Sequence, residues 1–137
     1  MATDPVFYTI PKIDSVLVAT VNTNLAAPTG ADIIYTAPAT AAGAKISRIT
    51  VNQTADLAAA AVLNIFFHTG AAFDALFEPI VLNVFDLTTA TQQDADAIFN
   101  KAYKDILLPN AWSLRAAVTL AGAASAFQVI VHALEAA

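Results

Sequence analysis

The sequence predicts an all-β protein, either a β-sandwich or a jelly roll of about seven or eight strands with an extended N-terminal arm. Short runs rich in β-branched and aromatic residues recur along the chain, and several alternate between apolar and polar residues. Gly, Pro, Asn and Asp separate these runs. The 137 residues suit one domain, which we divide into an arm over residues 1–15 and a sandwich over residues 16–137.

The alternation is clearest near the C-terminus. Residues 112–120 and 127–135 alternate between apolar and small or polar side chains, as expected for strands with one buried face. The small residues 122–125 predict a hairpin connection between them. Residues 62–68 carry aromatic side chains on both faces, which predicts a central strand covered on both sides. Three earlier strands are predicted, over residues 16–21, 33–36 and 45–51.

Other segments are less regular. Pro79 places the predicted strand 77–84 at an edge or a bulge, because proline cannot donate to a ladder on both sides. Residues 97–108 fit a helix or a strand. Residues 56–61 are rich in alanine but shorter than the roughly 12 residues that an independent helix needs, so we expect a loop or one helical turn. The polar residues 86–96 predict a loop.

The composition favours a protein covered by partners. Apolar residues make up 58% of the chain and charged residues 12%, against about 25% charged in a typical soluble domain. A surface with so few charged groups is most simply explained by contacts between subunits. The arm adds to this expectation, because Val6, Phe7, Tyr8 and Ile10 need something to cover them. These four residues are the predicted protein-interaction site.

Charge and hydropathy argue against two other classes of partner. The net charge is −5, and six scattered basic residues cannot form a patch that neutralises phosphates, so we expect no nucleic-acid partner. The longest apolar run, residues 57–63, is far shorter than the ~20 residues of a spanning helix, so we expect no membrane partner. Residues 1–13 lack the apolar stretch of a signal peptide. The absence of cysteine excludes disulfides and thiolate chemistry.

Candidate catalytic residues are few. The two histidines, His68 and His132, lie in separate predicted strands, and a zinc site would need both together with carboxylates. A triad of Ser113, His132 and Asp105 could be assembled, but the sequence has no nucleophile elbow of the Gly-x-Ser-x-Gly type. Trp112 heads an alternating strand and is expected to pack in the core. We therefore expect no catalytic residue and no enzyme.

The densest acidic patch lies in the predicted loop and consists of Asp86, Gln92, Asp94 and Asp96. Oxygen-rich loops bind calcium, but the spacing is not that of an EF-hand. Paired carboxylates would also suit a glycosidase, but no aromatic platform for a sugar lies beside them. The four glycines are isolated, which argues against a phosphate-binding loop. We expect a solvated loop and no metal or cofactor site.

Three segments share a pattern of strands and turns. Residues 30–51 contain a strand ending in Tyr-Thr-Ala-Pro, a Gly/Ala turn and a strand of the type Lys-Ile-x-Arg-Ile-x-Val. Ala-Thr-Val-Asn-Thr-Asn over 19–24 and Leu-Pro-x-x-Trp-x-Leu-Arg-Ala over 108–116 fit the same pattern. These segments resemble small virion proteins of tailed bacteriophages. The similarity covers about a third of the chain and is structural, since none of these segments is a chemical motif.

The resemblance implies a structural virion protein, most like a capsid decoration (cement) protein that binds the outside of the capsid and bridges its subunits. Its implied partners are the major capsid protein and further copies of itself, a trimer being favoured. Its implied location is the capsid surface of the virion, after synthesis in the host cytoplasm. A tail or fibre component is the alternative within this class. The alternative outside it is a carbohydrate- or ligand-binding β-sandwich module, which would have an exposed aromatic cluster or a calcium ion in loop 86–96.

Overall fold

The structure, a computed structural model, describes residues 7–26, 30–39, 42–69, 74–84 and 99–136. Regular structure within them is almost entirely β, with one 3₁₀ turn at Ala121–Ala123. Eight strands lie in these residues: β1 (Tyr8–Leu17), β2 (Asp32–Thr36), β3 (Ala44–Gln53), β4 (Ala61–His68), β5 (Asp74–Leu82), β6 (Phe99–Leu108), β7 (Ser113–Val118) and β8 (Phe127–Ala136).

The strands form two four-stranded antiparallel sheets that pack against each other. One sheet has the order β1-β8-β3-β6 and the other β2-β7-β4-β5. The chain changes sheet at every connection except the β4–β5 hairpin, so each sheet combines strands from both ends of the chain. This is the strand order of a jelly roll. The predicted all-β sandwich or jelly roll is confirmed.

The core lies between the two sheets and follows from the alternation of the strands. On β8, residues Phe127, Val129, Val131 and Ala133 are buried, while the residues between them are partly exposed. β4 is buried on almost every residue, as predicted for a central, doubly covered strand. The largest fully buried side chains of the core cluster are Tyr35, Phe127, Ile34, Ile46, Ile49, Leu57, Leu63, Ile65, Leu82, Leu108 and Leu114.

The prediction of a separate N-terminal arm over residues 1–15 is wrong for residues 8–15. These residues belong to β1, which pairs with β8 from Tyr8↔Ala136 to Leu17↔Gln128. The sequence signal was weak because β1 is an edge strand containing Pro11, Lys12 and Asp14. Residues 1–6 lie outside the described residues. The strand predicted over 16–21 therefore begins at Tyr8 and ends at Leu17.

Four other predictions can be compared with the observed strands. The undecided segment 97–108 contains strand β6, at the edge beside β3. Residues 122–125 do not form a hairpin, because β7 and β8 lie in different sheets and the chain crosses between them here. Pro79 does lie on an edge strand, as predicted, and the ladder between β4 and β5 shifts register near it. Residues 56–61 have no helical turn, and Leu57 is buried in the core.

Asp32 stabilises, through hydrogen bonds, the corner where the chain leaves β1 and crosses to the other sheet. Its carboxylate accepts hydrogen bonds from the backbone N–H of Ala19 at 2.6 Å and of Thr20 at 3.0 Å. The Thr20 hydroxyl also lies 3.0 Å from the second carboxylate oxygen. Beyond the corner, Val21 forms a parallel bridge with Val118. Edge strands β1 and β2 are therefore held side by side along one flank of the sandwich.

Candidate functional site

The most unusual surface of the described chain is the flank formed by β1, β2 and the segment between them, which we call the β1–β2 flank. Large apolar side chains normally occur singly on a protein surface. Here, seven of the twelve that are exposed in the described residues come from residues 7–33. They are Phe7, Ile10, Ile13, Leu17, Val21, Leu25 and Ile33. The arrangement is suited to binding another protein surface.

A groove of about 360 Å³ lies between the two edge strands of this flank. Residues 14–16 of β1 and 33–36 of β2 line it. At this groove the Tyr35 hydroxyl donates a hydrogen bond of 2.9 Å to the Glu135 carboxylate, which joins the two sheets. Burial, and then the Glu135 carboxylate, raise the pKa of Tyr35 well above its ordinary value of about 10, and Asp14 adds to the effect.

The Tyr35–Glu135 hydrogen bond should make the free energy of unfolding depend on pH in the alkaline range. Tyr35→Phe should cost about 1.5–3 kcal/mol at pH 8, the usual contribution of a hydrogen bond to a charged group. Folded Tyr35 keeps its proton above pH 10, whereas unfolded tyrosine loses it. The advantage of wild type over Tyr35→Phe should therefore be complete below about pH 10 and shrink above it by about 1.4 kcal/mol per pH unit. Urea unfolding of both proteins between pH 8 and 11 measures this difference, and a constant difference would contradict it.

The predicted interaction residues occupy the start of the β1–β2 flank, and their side chains differ in availability. Phe7 is 64% exposed and Ile10 is also exposed. Tyr8, in contrast, is held by its own domain: its hydroxyl donates to the Ala42 carbonyl at 2.9 Å, and Lys45 lies over its ring. Val6 lies outside the described residues. Ile13 and Leu17 are not recognisable as exposed from the sequence, because no pattern in residue types distinguishes an exposed apolar residue on an edge strand from a buried one.

The opposite flank is formed by the edge strands β5 and β6. Here side chains from the two sheets contact each other. The rings of Phe67 and Phe77 have centroids 4.5 Å apart, and Phe77 lies 5.2 Å from Tyr103. An ion pair of 3.0 Å joins Lys101 on β6 to Glu78 on β5. Burial raises the pKa of the Tyr103 hydroxyl, with Glu78 as the lesser cause. This flank is therefore bound together across the two sheets by an aromatic cluster and an ion pair.

The residues that could have formed an active site are not brought together. Ser113 lies on β7 in one sheet, whereas His132 and Asp105 lie on β8 and β6 in the other. Ser113 is buried and lies 3.2 Å from the Arg115 guanidinium. His68 lies on β4, in the other sheet from His132, and the described residues contain no group of three metal-ligating side chains.

The acidic residues Asp86, Gln92, Asp94 and Asp96 lie outside the described residues. Trp112 is half-buried and packs against the core, as predicted. Of the aromatic side chains that are described, only Phe7 is largely exposed, and the others are buried or half-buried.

Comparisons with protein-family models, with curated proteins and with solved structures gave no match. No helix in the described ranges is long and apolar enough to reach across a bilayer. The functional argument therefore rests on the surface of the chain itself.

Proposed function

We propose that this chain is a structural virion protein that binds the outside of a phage capsid and bridges or stabilises its subunits. The observation that carries the proposal is the clustering of exposed apolar side chains on the β1–β2 flank of a domain with only 12% charged residues. A jelly roll with such a flank is suited to attach to the surface of another protein. The resemblance of its sequence to small phage virion proteins supplies the location, and the major capsid protein is the proposed partner.

The size of the flank supports adhesion to a protein. Its seven large apolar side chains are each between 43% and 64% exposed. A protein that covers part of this flank removes apolar surface from water at roughly 25 cal/mol per Å², against an association cost of about 4–15 kcal/mol. Binding becomes stronger when many sites on one particle act together.

The location can be tested directly on particles. We expect mass spectrometry to find the chain in gradient-purified virions of the phage that encodes it, and cryo-EM to place it on the outer capsid surface. Density for the chain only in the tail or a fibre would support the alternative virion role and overturn decoration. Absence of the chain from purified virions would overturn both.

The contact surface can be tested with capsids assembled without this chain. The double variant Phe7→Asp/Ile10→Asp should reduce cosedimentation with such capsids at least tenfold, since it places two charges where apolar contact is expected. Val81→Asp/Val84→Asp is the matched control, because Val81 and Val84 are comparably exposed apolar residues outside the β1–β2 flank. Equal loss of binding in both variants would exclude the β1–β2 flank as the capsid contact.

A further inference from the structure

Edge strands carry unpaired backbone groups, and proteins protect them with prolines, lysines, bulges or short length. Three of the four edges here are protected along the strand. β2 is five residues long and its ladder shifts register between Ile33 and Tyr35. β5 contains Pro79 and a register shift. β6 presents two exposed lysines, Lys101 and Lys104, and its ladder with β3 is also irregular.

The fourth edge, β1, is protected only over its first half. Its ladder with β8 is irregular between Tyr8 and Ile10, and Pro11 and Lys12 follow. From Ile13 to Leu17 the strand has no proline, lysine or bulge and pairs regularly with β8. Ile13 is 63% exposed and Leu17 45%. Asp14, which lines the groove, is the only charged residue of this half-strand, and Ile13 and Leu17 leave the rest as the open, apolar kind of edge that natural monomers avoid.

The direction of the backbone shows which groups are open. The Val18 N–H donates to the Phe127 carbonyl on β8 at 3.0 Å. Because backbone groups alternate along a strand, the N–H and C=O groups of Ile13, Ser15 and Leu17 point away from β8, toward the open edge. Pro11 falls in the same outward set, so the N–H that proline lacks is one that would face the edge.

We propose that this half-strand pairs with the same half-strand of a second copy, antiparallel about a two-fold axis at Ser15. Ser15 then lies opposite Ser15 of the second copy, and Ile13 opposite Leu17. Each outward N–H and C=O of these residues finds a partner, and the two β1 strands join two four-stranded sheets into one of eight. The inference rests on strand geometry and does not depend on the proposed function.

The half-strand is complementary to itself in this register. Ile13 and Leu17 would contact each other across the axis on the outer face of the sheet. Asp14 would lie opposite Val16, so no like charges face each other directly. A register centred on Ile13 is poorer, because it places Pro11 opposite Ser15 and removes a hydrogen bond twice. The contact uses Ile13 and Leu17 and leaves Phe7 and Ile10, at the start of the flank, exposed for the proposed capsid contact.

A cysteine at the axis provides a sharp test, because the chain has none of its own. Directly opposite residues that exchange hydrogen bonds have Cα atoms about 5.5 Å apart, within the range that a disulfide spans. Ser15→Cys should form a disulfide-linked dimer under mild oxidation. Thr9→Cys is the matched control, on the protected half of the same strand, and should remain uncrosslinked. Equal crosslinking of the two variants would overturn the proposed pairing.

The oligomeric state supplies an independent readout. Light scattering on the eluting wild-type protein should give twice the chain mass of 14.2 kDa. Ser15→Lys should weaken dimerisation at least tenfold, because two lysines would meet at the axis. At a concentration low enough for both proteins to be monomers, its melting temperature should equal that of the wild type. Thr9→Lys should remain a dimer. A wild-type monomer at 100 µM, or a trimer such as the phage resemblance implies, would overturn the inference, since a two-fold contact cannot build a trimer.

Discussion

Phe127→Ala should lower the free energy of unfolding by about 3–5 kcal/mol, the usual cost of removing a large aromatic side chain from a core. Phe127 begins β8 and is 1% exposed. Its carbonyl also accepts the hydrogen bond from Val18 at the end of β1. The cavity would therefore lie where the two sheets and the crossing segment meet. The backbone hydrogen bonds of the surrounding strands limit how far these strands can move to fill it.

Urea unfolding followed by circular dichroism measures this change. With a total stability of about 5–15 kcal/mol, the variant should remain folded but melt roughly 10–20 °C lower. Phe7→Ala is the matched control, since the same atoms are removed from an exposed side chain, and it should change stability by less than about 0.5 kcal/mol. A cost for Phe127→Ala below 1 kcal/mol would mean that Phe127 is not a core residue.

Strong local patterns made most of the fold predictable. The alternation at β7 and β8 and the mixed aromatic faces of β4 identified strands that the structure contains, because one or both of their faces are buried. Residues 8–15 of β1 were not predicted as a strand because an edge strand needs little apolar alternation. Its partner β8 also lies more than 100 residues away in the chain, so no local signal marks the pairing.

The details that escaped prediction are those that depend on neighbouring strands. The register shift between Ile46 and Arg48 leaves both Ile46 and Ile49 in the core, although strict alternation would place residues three apart on opposite faces. The candidate site was predictable in part. Composition indicated a surface for partners, but only the strand order shows that Phe7, Ile13 and Ile33 share one flank.

Gly43→Ala should also destabilise the domain strongly, by about 3 kcal/mol or more, because a side chain at this position is unfavourable for two reasons. Gly43 has a φ of +65°, which costs an ordinary residue roughly 1–2 kcal/mol. A Cβ atom there would lie 2.2 Å from the Leu108 carbonyl oxygen and 2.9 Å from the Pro109 carbonyl carbon. Both are backbone atoms, so relief requires moving the start of β3 away from the end of β6.

Gly30→Ala separates the two causes. Gly30 has a similar φ of +77°, but nothing lies within 4 Å of the position that its Cβ would take. It should therefore show the conformational cost alone, about 1–2 kcal/mol, and the excess for Gly43→Ala measures the steric clash. Equal losses for the two variants in urea unfolding would show that β3 and β6 separate easily at this point, and that the tight approach of Gly43 to Leu108 does not stabilise the sandwich.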